Sequence, residues 1–317
     1  MSAGNKGSVA VSTENPGKKS VRSRTFHKYL FLSVLLIGPI LNWALFWLVV
    51  NLSSIGLAFR DARTDVFTFE NFKDVWMNFT SKDGTLLLAL LNTAKYFFSN
   101  LLIVIPLSII IGFFIYKKIF LYRVFNVIFY LPCIISSVAL TIIYSEVLGP
   151  NGPIDQLFHL NVPPEGLFMR SATATNAIVA YTIWTGFGGN ILLFVGAMTR
   201  IPLEILESAK LEGCGPWREI AQIILPLIWP TISSMMILAF TGLFTASGPI
   251  LLFSPNGDNN TMTLSFWIFK QVYGTGEVGG TGSYNLVSAT GLCLTIVGMP
   301  IILFARWLVE RVPETEY

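Results

Sequence analysis

The chain has 317 residues, of which 53% are hydrophobic and 12% charged, and its formal net charge is +3. Soluble domains average roughly 45–50% apolar and about 25% charged residues, so this composition excludes a soluble enzyme and points to a polytopic membrane protein. With a mean hydropathy of +0.63, the basic surplus reads as a topology signal and not as a nucleic-acid footprint.

A hydrocarbon core of about 30 Å needs roughly 20 mostly apolar residues per helix. Six uncharged runs are long enough: Tyr29 to Phe59, Tyr96 to Tyr116, Val124 to Ser145, Thr173 to Met198, Leu227 to Phe253 and Asn285 to Ala305. With the N-terminus inside, 14 of the 21 Lys and Arg residues are cytoplasmic: six in 1–28, three in Lys117 to Arg123, three in Arg200 to Arg218, and Arg306 and Arg311. The other seven are Arg60, Arg63, Lys73, Lys82, Lys95, Arg170 and Lys270, so the positive-inside rule predicts that both termini are cytoplasmic. The expected fold is all-α, with a transmembrane domain over residues 29–317.

Residues 1–28, rich in Ser, Gly, Lys and Arg, are read as a structureless basic tail beside the anionic leaflet. The first apolar run is too long for a signal-peptide core and is predicted to stay as a span, kinked at Gly38-Pro39. Arg60 to Leu86, with aromatics at irregular intervals, reads as an interfacial helix, and Lys95 is expected to snorkel outward. The short KKIFLYR turn makes the second and third spans antiparallel neighbours, and Pro106 and Pro132 predict bends in them.

Gly149 to Ser171 forms an external loop whose lone His159 has no converging partners and is read as solvated. The fourth span carries Trp184, Gly186, Phe187, Gly188, Gly189 and Asn190. Two readings stand for it: close helix packing through the glycines, or a polar solute path. In the fifth span Thr241 and Thr245 lie four apart on one face, where they either bond their own helix or face a cavity. The external GTGEVGGTG lacks the Lys of a phosphate loop and reads as flexible. Cys133, Cys214 and Cys293 have no C-x-x-C spacing and are read as free thiols, with no zinc site.

One charged island interrupts the apolar chain, Arg200 to Pro226, RIPLEILESAKLEGCGPWREIAQIILP. Pro202 suits a first helical turn, and Ile205, Leu206 and Ala209 make an apolar stripe while Glu204, Glu207 and Lys210 point elsewhere. Gly213 is placed to cap that helix, and Gly215-Pro216 starts a second one running into the fifth span at Pro226. Three acidic residues and one basic residue between Pro202 and Glu212 argue for a protein partner, because lipid-binding helices are rich in Lys and Arg.

Glu207-Ser208-Ala209, Gly213, Ile223 and Leu225-Pro226 match EAA-x3-G-x9-I-x-L-P, the signature of binding-protein-dependent ABC importer permeases. Ser208 stands where the family usually has Ala, and Glu212 where Asp is common. The resemblance runs from about Asn92 to Glu310, through WTGFGG, the signature loop and the closing YNLVSATGLCLTIVGMPIILFARWLVER, and looks closest to maltose-type carbohydrate permeases.

The resemblance implies a type I importer permease in a bacterial cytoplasmic membrane, carrying a sugar or oligosaccharide and without catalytic residues. Its implied partners are membrane lipid, a homologous permease subunit, a cytoplasmic ATPase dimer that holds ATP and Mg, and an external solute-binding protein. No cofactor is implied on this chain. Glu207, Ser208, Ala209, Glu212, Gly213, Ile223, Leu225 and Pro226 are the implied ATPase-coupling residues. The substrate-path candidates are Trp184, Gly186, Phe187, Asn190, Thr241 and Thr245. An ion-gradient transporter is the rival class, but only Lys95 and Glu146 approach the spans, both near outer ends, leaving sodium held by backbone carbonyls as its route. The charged island would also serve as the docking site of a non-transporting assembly subunit, and a permease of this kind could carry a non-sugar small solute.

Overall fold

The computed structural model describes residues 16–81, 85–159, 162–244, 249–273 and 282–312, with side chains from Lys28 in the first helix and from Tyr284 in the last. The Gly-rich GTGEVGGTG and Thr245 lie outside the described residues. Among those residues the regular structure is helical, apart from one antiparallel bridge between Arg60 and Phe67. Among the described residues four helices are long and apolar enough to cross a membrane, and the number is six when each of two sharply bent helix pairs counts as one span. In lipid this is the expected outcome, since a backbone without water must satisfy its own polar groups.

The first helix, α1 (16–58), begins at Pro16, so the backbone over 16–28 is helical where the sequence suggests a structureless tail. Its apolar part, Lys28–Ala58, passes without a break through Pro39 and a wider π-turn at Ala44–Val49. None of residues 28–57 is buried within the chain.

The interfacial segment folds as expected into a surface helix, α2 (Glu70–Thr80), which packs on the second and last spans. Asp61 ends the preceding turn by accepting the Arg63 and Thr64 N–H groups, and these bonds hold its carboxyl below the usual carboxylate range.

The second span, α3 (Thr85–Tyr116), starts eleven residues before the predicted Tyr96. Lys95 marks the sequence boundary, and its exposed side chain donates to Asn176 Oδ1 of the fourth span. Pro106 is carried by a π-turn at Asn100–Val104 just before it, which makes room for the ring and leaves the helix continuous. The third span breaks into α4 (Tyr122–Ile134) and α5 (Ser137–Val147), which meet at 111°. Here the expected bend is a break, because Ile135 and Ser136 are both extended.

Beyond the short external helix α6 (Pro153–Phe158), the fourth span, α7 (Ala174–Met198), matches its predicted limits. It is the central post, packed on α3, α4 and the fifth span. With lipid as apolar as leucine, such contacts depend on close packing, and Gly112 of α3 faces α7 beside Phe194 and Val195.

After the elbow helices α8 (Leu203–Leu211) and α9 (Pro216–Leu227), the fifth span is α10 (Trp229–Gly242), far shorter than the predicted Leu227 to Phe253. Ile250–Phe253 is a separate turn, α11, packed against α5. The external α12 (Leu264–Tyr273) buries Leu264, Phe266 and Trp267, and α13 (Gly282–Val309) closes the chain as the sixth span.

Candidate functional site

The charged island folds as the expected helix, turn and helix. Leu206 and Ala209 of α8 are buried, Leu206 together with Met198, Ile201, Ile220 and Ile224 in a core that continues to Ile105, Ile109 and Phe113 of α3. Ile205 is half-buried, so the predicted stripe is the inner face of α8. Glu204, Glu207, Ser208 and Glu212 face outward, with the Ser208 hydroxyl donating to Glu204 O at 2.9 Å.

Gly213 takes a φ of +73°, which lets its own N–H donate to Lys210 O and the Cys214 N–H donate to Ala209 O, both at 3.0 Å. These bonds close the carbonyls left open at the helix end. A Cβ at Gly213 would meet open space. The demand for glycine is therefore conformational and does not come from crowding.

Apolar side chains sit on the same outward surface. Leu203 and Trp217 are each 64% exposed and Leu211 90% exposed, apolar groups beside the acidic residues that suit a protein cleft better than water.

Ile223 and Leu225 pack against the buried core of the elbow, and Pro226 is half-buried. Pro226 follows a π-turn at Ile220–Ile224, as Pro106 does in α3. The sequence reading joins α9 directly to the fifth span; instead the chain turns by 75° between Leu227 and Trp229. Sequence reasoning missed one tie. Glu219 of α9 is buried and accepts a hydrogen bond from Lys117 at the end of α3. A carboxylate next to the apolar run IAQIILP is the signal that marks it.

Between α3, α7 and α10 lies a cavity of about 230 Å³ lined by Thr93, Tyr96, Phe97, Ser99, Asn100, Val104, Thr182, Ile183, Ala239, Gly242 and Leu243. The Tyr96 hydroxyl is buried and has no hydrogen-bond partner among the described residues. Hydroxyls, an amide and aromatic faces converge here on a site large enough for part of a polar solute.

The described substrate-path candidates, Trp184, Gly186, Phe187, Asn190 and Thr241, are not in the lining of this cavity. Phe187 is buried with Val104 and Ile191, and a Cβ on Gly186 would sit 3.3 Å from Val104. The Asn190 amide donates to Gly186 O at 3.0 Å, and the Thr241 hydroxyl to Leu238 O at 2.8 Å. Trp184 stacks on Tyr144 at 6.0 Å in a cluster with Tyr181 and Phe253. Packing explains Gly188 outright, since a Cβ there would lie 2.6 Å from Cys133 Sγ and 2.7 Å from Phe129 O.

The Asn92 end of α3 is closed by a strap, residues 260–264. The buried Asn92 amide donates to Asn260 O and Met262 O, and Thr93 Oγ1 accepts the Leu264 N–H at 3.0 Å. From α7, Thr175 donates to the same Asn260 O. Polar residues inside an apolar helix are the available signal, but Asn92 and Thr93 precede the predicted start of the span.

Residues 104–313 match the family described as binding-protein-dependent transport system inner membrane component. Among curated relatives, the probable ABC transporter permease protein YesP of Bacillus subtilis is 25% identical over 305 residues, covering 90% of this chain and 92% of its own length. The arabinooligosaccharides transport system permease protein AraP of the same organism is 25% identical, covering 72% and 73%. Among solved structures, a bacterial ABC transporter involved in the import of the acidic polysaccharide alginate superimposes with a TM-score of 0.74 at 22% identity, covering 92% of this chain and 99% of that one.

Proposed function

The chain belongs to the binding-protein-dependent transport system inner membrane components, and from that premise we propose that it is a permease subunit of an ATP-driven carbohydrate importer. The other parts of the machine are a homologous permease, a cytoplasmic ATPase dimer holding ATP and Mg, and an external solute-binding protein. The observation that carries the reading is the elbow, whose outward face combines Glu204, Glu207 and Glu212 with exposed Leu203, Leu211 and Trp217 while its inner face is continuous with the membrane core. A cleft with basic groups would hold the carboxylates, and closure of the ATPase would push the elbow as a body.

Sugar as the cargo is supported by relatives such as the arabinooligosaccharide permease and by the few hydroxyl and amide groups set among the mainly apolar and aromatic lining of the cavity. Tyr96, Asn100, Ser99 and Thr182 supply hydrogen-bonding groups there, and Phe97 an apolar ring face. The chain itself supplies the path and the coupling surface, and the hydrolytic chemistry belongs to the ATPase.

The test is uptake into proteoliposomes by the complete transporter, captured on a tag on this chain, with arabinooligosaccharides and alginate oligosaccharides as the first probes. Uptake is expected to need ATP and the binding protein, to stop with vanadate and to survive an ionophore. Uptake that survives vanadate and collapses with the ionophore would overturn the reading in favour of an ion gradient.

A further inference from the structure

The elbow is attached to a second membrane helix besides the one it leads into. Glu219 of α9 has a side chain only 6% exposed, and its Oε1 accepts a hydrogen bond from Lys117 Nζ, just beyond the cytoplasmic end of α3. The Lys117 side chain is 23% exposed, with its ammonium 5.4 Å from the Phe113 ring centre. Beside the pair, Phe114 meets Trp217 edge to face at 6.0 Å. Phe113, Ile220 and Ile224 are buried in the same core, so water does little to screen the two charges.

A buried ion pair is a poor way to gain stability, because desolvation offsets most of its attraction and apolar residues of equal volume would pack as well. Its particular property is a fixed register between the two elements that carry the charges. Here the elements are the elbow and a helix that lines the cavity through Thr93, Tyr96 and Asn100. The direct route from α9 to α10 passes a 75° turn at Ile228, a place where motion can be lost. The route from α9 to α3 has no such turn, because α3 is continuous from Thr85 to Tyr116.

We propose that Lys117 and Glu219 are positioning residues that lock α3 to the elbow, so that a displacement of α8 and α9 moves both α3 and α10 and reaches two walls of the cavity at once. This rests on the reading of the elbow as the ATPase contact.

The test measures two spin-label distances in the complete transporter, free of nucleotide and trapped with ATP, Mg and vanadate, after Cys133, Cys214 and Cys293 are replaced by Ser. Labels on Ile119→Cys and Ala221→Cys follow the register of α3 and the elbow, and labels on Ile119→Cys and Leu308→Cys follow α3 against α13. In the native background the first distance is expected to stay constant on trapping, and the second to shift by more than about 2 Å, the scale of helix displacement in switching proteins. Lys117→Met or Glu219→Gln should broaden the first distribution and remove the shift in the second. The exchange of Lys117→Glu with Glu219→Lys should restore both.

Single variants that keep the native pattern, or that lower only the yield of assembled transporter, would overturn the proposal, and so would an exchange variant no better than the singles. A native transporter that traps nucleotide without moving α3 overturns the inference alone. One in which vanadate traps no nucleotide overturns the ATP-driven reading beneath it.

Discussion

Gly213 and Gly188 are both glycines that the chain cannot exchange freely, for different reasons. At Gly213 the reason is a φ of +73° with open space around it. An L-residue pays about 1–2 kcal/mol in that region, which corresponds to roughly a tenfold loss of the competent turn. Asn tolerates the conformation far better than a β-branched side chain does. Gly213→Val should therefore cut the ATPase captured with the tagged permease about tenfold, while Gly213→Asn keeps most of it. Equal capture in both would mean that the turn geometry does not govern docking. At Gly188 the reason is space, since a Cβ would collide with Cys133 Sγ and with the Phe129 carbonyl. Overpacking of this kind costs about 1–3 kcal/mol, so Gly188→Ala should lower the Tm of the purified protein. Gly189→Ala, facing open space, should leave it nearly unchanged. The motif WTGFGG contains both of these glycines and Gly186, but the sequence cannot say which of them meets the third span.

At the scale of elements, the apolar runs announce where helices are but not where they end. Thr173 to Met198 is readable almost to the residue because polar loops flank it on both sides. The start of the second span is misplaced in the sequence because Lys95 looks like a boundary, whereas the ammonium is satisfied by Asn176 of α7. The breaks at Ile135 and Ile228 lie close to Pro132 and Pro230, which mark a bend in the sequence but not a full break, since that depends on what the flanking helices pack against. The elbow is legible in full up to its second helix because Pro202, Gly213 and Pro216 are local signals. The strap is not, because it joins Asn92 to Asn260 across 168 positions. Asn92→Ala would leave the Met262 carbonyl without its buried donor and the Asn260 carbonyl with the Thr175 hydroxyl, a cost of about 1–3 kcal/mol. Faster amide exchange is expected over residues 258–264, with α7 unaffected. Unchanged exchange there would show that Thr93 and Thr175 hold the strap alone.

For the whole molecule, the distribution of charge and the structure bear on one question, which side of the membrane the elbow occupies. The positions of 14 of 21 basic residues predict that the elbow, the Lys117 turn and the end of α13 lie in the cytoplasm. The structure adds that the Lys117 turn and the elbow meet through a buried ion pair, so the two segments must share a side. The external strap and α12 then belong to the opposite face, where a binding protein would arrive. Labelling with a membrane-impermeant maleimide checks this in cells that express the permease without its ATPase, so that docking protects nothing. In a background with the three native cysteines replaced by Ser, Tyr273→Cys, on a residue 71% exposed, should react in intact cells. Leu211→Cys, at a position 90% exposed, should react only after permeabilisation. The reverse pattern would put the acidic elbow outside, beyond the reach of any ATP-hydrolysing partner, and would undo the coupling reading along with the orientation.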